Sequence, residues 1–275
     1  MQNKLLFVLL SALSVGLLSS QAQTAATTPA PAPAATAAAA PAASGASWVF
    51  TPAVVSQYMF RGTRLGGPSF EPSVEFDSGN LALGIWSNFP LKDKVPGQSD
   101  PEIDPYGSYK FVISDAFNLQ PGFTWYTYVN ADKNNGYYKS TFEPSLAVNY
   151  TVAGFTLTPK IYYDLVLKGP TAELNAAYAL PLKELGTELD FAATWGTFKW
   201  TSYAENASPD VKNWGDYWLV GVTLPFQVTT NSKLSIGLAA TEGRNNYIKQ
   251  GTFPKFPNST AVSRGVFTLS YAMTF

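Results

Sequence analysis

Acidic residues recur two or four positions apart in several short segments of this chain, with apolar residues among them. Glu71 and Glu75 fall in one such segment, and Glu102 and Asp104 fall in another. Spaced carboxylates of this kind can form an acid–base pair or bind cations. The chain has no His and no Cys, so it lacks the usual base near pH 7, imidazole and thiolate metal ligands, and disulfides. We predict a protein that is not an enzyme and has no cofactor; an oxygen-ligated Ca²⁺ site in segment 93–104 is the one alternative left open.

The elements that carry these residues alternate apolar and polar side chains, which predicts β-strands. Residues 267–275 show the pattern most clearly, with large apolar residues at odd positions and Thr, Ser or Ala at even ones. A segment of about nine residues can cross a bilayer as a tilted strand. The final residue, Phe275, resembles the C-terminal signal of outer-membrane β-barrels that the barrel-assembly machinery reads. A terminal edge strand of a soluble sandwich is the alternative.

Turn signals separate twelve such segments. They cover residues 47–61, 69–77, 80–89, 102–113, 118–130, 141–150, 154–166, 171–180, 188–199, 215–227, 233–241 and 264–275. Tight turns near 79, 115 and 152 alternate with long loops at 90–101, 200–214 and 242–263, as in transmembrane barrels. An even strand count puts both termini on the periplasmic side. The predicted fold is all-β, a transmembrane antiparallel up-and-down β-barrel of about 12 strands.

Proline inside several of these segments, for example at positions 72, 105, 121, 144 and 159, conflicts with this prediction, because proline cannot donate to a strand ladder. Bulges or shifted strand ends would resolve the conflict. The rest of the composition favours a barrel. Aromatic residues make up 15% of the chain, as expected where aromatic girdles mark two membrane interfaces. No apolar run after the N-terminus is long enough for a spanning helix.

The N-terminus predicts secretion. Residues 1–22 read as a signal peptide, with Lys4 before an apolar run and small residues at the cleavage site; the run is too short for the alternative, a membrane anchor. Residues 23–47 are nearly all Ala, Pro and Thr and predict a disordered linker, with an inert spacer favoured over a cell-wall anchor. Residues 48–275 then form one barrel in the bacterial outer membrane, in contact with its lipids and lipopolysaccharide. A net charge of −1 gives no reason to expect a nucleic-acid partner.

Odd and even positions of a strand point to opposite faces of the wall, and we call this the parity of a residue. It predicts that the charged residues of the strands face the lumen, because a charge on the lipid face costs about 2–4 kcal/mol at the midplane. The predicted lumen-lining residues are Arg61, Glu71, Glu75, Glu102, Asp104, Lys110, Glu143, Lys160, Asp164, Glu173, Glu188, Asp190 and Arg264. Carboxylates outnumber basic groups in this set. Two interpretations stay open: a lining that selects cations or polar solutes, or a network of paired side chains that fills a narrow barrel and holds it shut.

Residues 55–62, VSQYMFRG, together with GIWSN at 84–88 and EIDPYGSY at 102–109, resemble the Gcw-chp, or TorF-like, family of bacterial outer-membrane proteins of unknown function. The resemblance implies an outer-membrane barrel and no particular substrate. From the residues themselves, Tyr58 and Phe60 are predicted to face lipid as a girdle pair near the external rim. Arg61 would point inward at the mouth and pair with a carboxylate such as that of Glu71; contact with solute is the alternative.

The leading hypothesis is therefore a monomeric barrel that forms a narrow channel for small polar solutes or ions, with a mild preference for cations. The second hypothesis is a closed structural or adhesive barrel that binds a partner through its long loops, 200–214 and 242–263. An enzyme would need a nucleophile and a base that the sequence does not offer.

Overall fold

The computed structural model describes residues 45–93, 101–131, 139–166, 168–199, 214–244 and 264–275. The predicted signal peptide, most of the predicted linker and most of the three long loops lie outside the described residues. In the part that is described, the chain consists almost entirely of β-strands, with one 3-10 turn at Lys183–Leu185. A search of the same residues finds no helix with the length and hydropathy to cross a membrane.

The strands are bounded as follows. They are β1 (Ser47–Thr51), β2 (Ala53–Val55), β3 (Tyr58–Phe60), β4 (Thr63–Gly66), β5 (Ser69–Phe70), β6 (Ser73–Ser78), β7 (Leu81–Pro90), β8 (Glu102–Tyr109), β9 (Phe111–Ser114), β10 (Phe117–Thr127), β11 (Ser140–Val152), β12 (Phe155–Asp164), β13 (Gly169–Leu182), β14 (Thr187–Phe198), β15 (Gly215–Thr229), β16 (Ser232–Arg244) and β17 (Arg264–Thr274).

These strands build a closed antiparallel barrel whose wall has twelve strands, as the sequence predicted. Three wall strands are each broken into two segments: β1 with β2, β5 with β6, and β8 with β9. The last strand closes the barrel against the first, since Val49 pairs with Thr274 and Val55 pairs with Thr268. Closure removes the free edges that the first and last wall strands would otherwise expose, as a wall surrounded by lipid requires.

The two faces of the wall differ as the alternation predicts. Large apolar side chains on the outer face are exposed, among them Trp48, Val54, Ile161, Leu238 and Phe267. Their neighbours along each strand point into the barrel and are mainly polar or small, with some buried aromatic and aliphatic residues such as Trp86 and Leu219. The outer face is therefore a continuous apolar surface around a polar interior.

Prolines within the wall coincide with interruptions of the ladder. Pro72 lies between β5 and β6. In the ladder between β11 and β12, Ala147 pairs with Lys160 and Tyr150 with Leu157, and the gap between these pairs contains Pro159. A residue without an N–H is tolerated where no partner carbonyl needs it.

Candidate functional site

The segment that follows β2 leaves the wall and folds into the barrel. β3 and β4 pair only with each other, through Met59↔Arg64 and Phe60↔Thr63. Arg61 and Gly62 form the turn between them, with φ of 45° and 73°. We call residues 56–68 the lumen hairpin. The predicted first strand, 47–61, was therefore wrong beyond Val55: the chain turns inward instead of continuing to the external rim.

The aromatic residues of the lumen hairpin contact the inner face of the barrel, so the prediction that Tyr58 and Phe60 face lipid was wrong. Tyr58 is 1% exposed, and its ring centroid lies 5.7 Å from that of Trp86. Phe60 makes an edge contact with Tyr126, with centroids 5.9 Å apart. Large aromatic side chains are as suitable for filling a lumen as for a girdle, because both surroundings bury apolar area.

Arg61, at the tip of the lumen hairpin, forms a bidentate ion pair with Glu143 on β11. Its Nη1 donates to Oε2 at 2.9 Å and its Nη2 donates to Oε1 at 2.7 Å. The two side chains are 4% and 0% exposed. The guanidinium carbon also lies 5.1 Å from the ring centroid of Tyr162. Arg61 therefore pairs with a carboxylate as predicted, but the suggested partner, Glu71, was wrong, because the inward fold carries Arg61 across the lumen to another part of the wall.

Other contacts attach the body of the lumen hairpin to the wall. The Tyr58 hydroxyl donates to Oε2 of Glu102 at 2.7 Å. Met59 packs in an apolar cluster with Val55 and Val266. At the open end of the hairpin, an Arg64 nitrogen lies 3.3 Å from a carboxylate oxygen of Asp93. The lumen hairpin therefore contacts wall strands on several sides of the barrel.

The turn of the lumen hairpin requires glycine for two reasons. Gly62 has a positive φ, and a Cβ at this position would lie 2.4 Å from Cα of Gly243 on β16. Gly79, in a tight turn between β6 and β7, also has a positive φ, but a Cβ there would meet nothing within 4 Å. Substitutions at Gly62 and Gly79 therefore separate the cost of a positive φ from the cost of the close contact with Gly243.

We expect Gly79→Ala to destabilise the barrel by about 1–2 kcal/mol, the cost of a left-handed conformation for a non-glycine residue. Gly62→Ala should cost about 1–3 kcal/mol more, because the hairpin tip must also move off the wall. Urea titration of folding into lipid vesicles measures both. Equal losses for the two variants would mean that the tip does not rest against Gly243.

Around the lumen hairpin, the inward side chains of the wall are buried. Those below 10% exposure include Glu71, Asn88, Glu102, Asp104, Glu143, Asp164, Thr171, Thr194 and Thr241. Asp164 accepts a hydrogen bond from the Thr141 hydroxyl at 2.7 Å, and Asp104 accepts one from the backbone N–H of Thr127 at 3.1 Å. This layer lies at the end of the barrel away from Trp48 and Phe275, which hydrogen-bond to each other; we call the end that holds those two residues the terminal end.

Towards the terminal end, most of the inward side chains are partly exposed. Glu173 accepts hydrogen bonds from the Tyr162 and Tyr217 hydroxyls, both at 2.5 Å. Lys160 lies 4.6 Å from the Tyr162 ring centroid and interacts electrostatically with Glu173. Asn149 is buried, at 8% exposure, and its amide nitrogen donates to the side-chain oxygens of Asn118 at 2.7 Å and Gln120 at 3.0 Å.

The remaining predicted lining residues fall at the two ends of the barrel. Near the terminal end, Glu75 accepts a hydrogen bond from Tyr106 at 2.8 Å. Lys110, in the break between β8 and β9, is exposed and interacts with Asp77. Asp190 interacts with Glu188 and Lys233. At the other end, Arg264 begins β17 opposite Thr241.

The structure adds tyrosines that the sequence analysis did not place in the lumen. Tyr126 and Tyr217 are buried on the inner face, at 6% and 1% exposure. Parity is the signal that could have found them, because Tyr126 shares it with Asn118 and Gln120 on β10. Within the described ranges, no three acidic side chains are arranged so that they could hold a metal ion; most of the segment between Asp93 and Asp104 lies outside those ranges.

Comparison with known proteins agrees with the fold. The profile of a family described as "Bacterial protein of unknown function (Gcw_chp)" matches residues 39–223. A search of curated protein sequences gives no match. Among solved structures, the NanC porin aligns with a TM-score of 0.51 at 10% identity, covering 82% of this chain and 98% of that one. The KdgM porin, solved in complex with disordered oligogalacturonate, also aligns with a TM-score of 0.51, at 11% identity, covering 83% and 99%. The chain thus has the fold of outer-membrane β-barrels.

Proposed function

We propose that this chain, which belongs to the Gcw_chp family of bacterial proteins of unknown function, is an outer-membrane channel for small polar solutes or ions with a mild preference for cations. The observation that carries the proposal is the lining of the lumen. Charged and amide side chains follow one another along the inner face from the terminal end up to the lumen hairpin, and those near the terminal end are partly exposed. A barrel that served only as a scaffold could fill this space with apolar side chains.

The outer face supports a membrane location. Exposed apolar side chains recur on the outer face of strand after strand, for example Ile85 on β7, Leu174 on β13 and Trp195 on β14. A soluble monomer rarely exposes apolar patches larger than a few hundred Å². Placed in lipid, the same surface stabilises the protein.

The balance of charge near the terminal end supports the preference for cations. Glu75, Asp77, Glu188 and Asp190 line this part of the lumen, against Lys110 and Lys233. An excess of carboxylates at the mouth of a pore raises the local concentration of cations and repels anions. The expected selectivity is mild, because both lysines interact with carboxylates.

A second candidate is a closed structural or adhesive barrel that binds a partner through its long loops. The buried Arg61–Glu143 pair favours it, since a paired network across the lumen is what would hold a barrel shut. The predicted contact loops, 200–214 and 242–263, lie largely outside the described residues. This candidate differs from the channel in requiring no ion flow.

Planar-bilayer recording in a KCl gradient distinguishes the two. The purified chain should give discrete conductance steps, with a reversal potential that shows excess K⁺ permeability. Glu184→Gln, an exposed change in the 3-10 turn, is the control and should leave the reversal potential unchanged.

A second protein is recorded in the same way. In this protein, which we call the shortened chain, an Asn-Gly turn replaces residues 56–68; the direct pairing of Val55 with Ser69 suits such a two-residue hairpin. Anion preference, or no conductance from either protein, contradicts the proposal.

A further inference from the structure

We infer that the lumen hairpin is a displaceable plug and that it covers a cation filter formed by Glu71, Asn88, Glu102 and Asp104. The inference rests on the proposed channel function and adds to it the residues that select the ion and the element that opens the path.

The four filter residues lie side by side on three neighbouring wall strands. Asn88 pairs with Glu102 in the ladder between β7 and β8, and Trp86 pairs with Asp104 two residues further along. Glu71 follows Phe70, which pairs with Phe89. All four filter side chains point inward and are at most 3% exposed.

Two oxygen atoms of the filter have no hydrogen-bond donor. They are Oε1 of Glu71 and Oδ1 of Asn88, both buried. A buried acceptor without a partner costs free energy, and here the amide oxygen lies between two strands that carry carboxylates. Glu71 and Glu102 also interact electrostatically with each other. The arrangement therefore offers free acceptors to a positive ligand.

The spacing of the filter carboxylates indicates which kind of cation they would bind. The carboxylates do not come together as ligands of a single metal ion in the described part of the chain. Their combined field would instead act on monovalent cations that keep part of their hydration shell, as rings of acidic side chains do in cation channels. In the structure, the Tyr58 hydroxyl occupies the position that such a cation would take, close to Glu71, Glu102 and Asp104.

The lumen hairpin is built to move as a unit. No backbone ladder joins β3 or β4 to the wall, so side-chain contacts and a few backbone hydrogen bonds at its two ends hold it in place. At one end the Ser56 N–H donates to the Phe267 carbonyl at 2.8 Å, and at the other the Pro68 carbonyl accepts from the N–H groups of Leu91 and Lys92 at 2.8 and 3.3 Å. Its tip carries Arg61, whose departure would also expose Glu143. Displacement therefore removes a basic group from the lumen and uncovers acidic ones, which makes the open state more selective for cations.

A disulfide lock tests the movement. The chain has no cysteine, so Met59→Cys with Val266→Cys, two residues of one buried apolar cluster, gives one defined pair. We expect the oxidised double variant to lose the conductance steps and to recover them on reduction with dithiothreitol. Each single cysteine variant is a control and should not respond. Equal conductance of the oxidised and reduced double variant would overturn the plug.

Two opposite substitutions test the filter. Glu71→Gln should shift the reversal potential in a KCl gradient towards zero, and Asn88→Asp should shift it further towards the K⁺ equilibrium potential; Glu184→Gln is again the control. Reversal potentials that stay at the wild-type value in both variants would overturn the filter while leaving the channel in place. Absence of conductance from the full chain and the shortened chain alike would instead remove the proposed function itself.

Discussion

Replacing Glu143 by alanine is expected to destabilise the folded barrel by about 3–5 kcal/mol, because the substitution leaves a buried guanidinium without its carboxylate. Arg61 makes both of its charged hydrogen bonds to this residue, at 2.7 and 2.9 Å. The unpaired Arg61 should also favour the displaced position of the lumen hairpin, so that the variant conducts more of the time. Urea titration in lipid vesicles measures the stability, and single-channel recording measures the open fraction.

The double variant Arg61→Gln/Glu143→Gln is the control for this prediction. It removes both charges and keeps groups that can hydrogen-bond to each other, so most of the lost stability should return. A thermodynamic cycle over the two positions isolates the coupling from the separate effects of each substitution. If Glu143→Ala is no more damaging than Glu184→Ala in the exposed turn, the ion pair does not hold the hairpin.

An arginine on the outer face should disrupt folding into a membrane nearly as strongly as Glu143→Ala does. Ile161 is 58% exposed on β12, next to the inward Lys160. Ile161→Arg is expected to cost about 2–4 kcal/mol if the position lies near the bilayer midplane. Urea-dependent folding into lipid vesicles gives the value.

Leu185 provides a matched comparison. It is an equally apolar side chain, 73% exposed, but it lies in the 3-10 turn outside the wall. Leu185→Arg should change the stability by no more than about 0.5 kcal/mol, as ordinary surface substitutions do. Equal costs at the two positions would mean that the outer face of β12 does not contact lipid.

The wall of the barrel could be predicted from the sequence because its signals are local. The last segment was predicted at 264–275 and is β17 at Arg264–Thr274; the ninth was predicted at 188–199 and is β14 at Thr187–Phe198. Each strand alternates because one face is the apolar outer surface and the other faces the lumen, so the alternation alone predicts the orientation of Glu143, Asp164 and similar residues.

The lumen hairpin could not be predicted in this way. Tyr58 and Phe60 continue the alternation of the wall, and an inward hairpin alternates as well, so periodicity does not separate the two. The partner of Arg61 lies 82 residues further along the chain. Gly62 indicated a turn, but not that the turn would reach Gly243 on β16, two strands away from β2 in the wall.

The depth of a residue within the lumen could not be predicted from the sequence either. Glu71 and Glu75 share parity on neighbouring segments, yet Glu71 is 2% exposed and Glu75 is partly exposed. The difference arises because the lumen hairpin covers one and not the other. Which carboxylates act as a filter and which form a wet vestibule therefore depends on tertiary structure.

Closure of the lumen by the hairpin is tested most directly by comparing the single-channel conductance of the full chain and the shortened chain in the same bilayer. The shortened chain keeps every wall strand and lacks only the lumen hairpin. We predict a larger and more persistent conductance with stronger preference for K⁺, because the path is open and the carboxylates of Glu71, Glu102, Asp104 and Glu143 are uncovered. Equal conductance and equal selectivity in the two proteins would contradict a lumen closed by this hairpin.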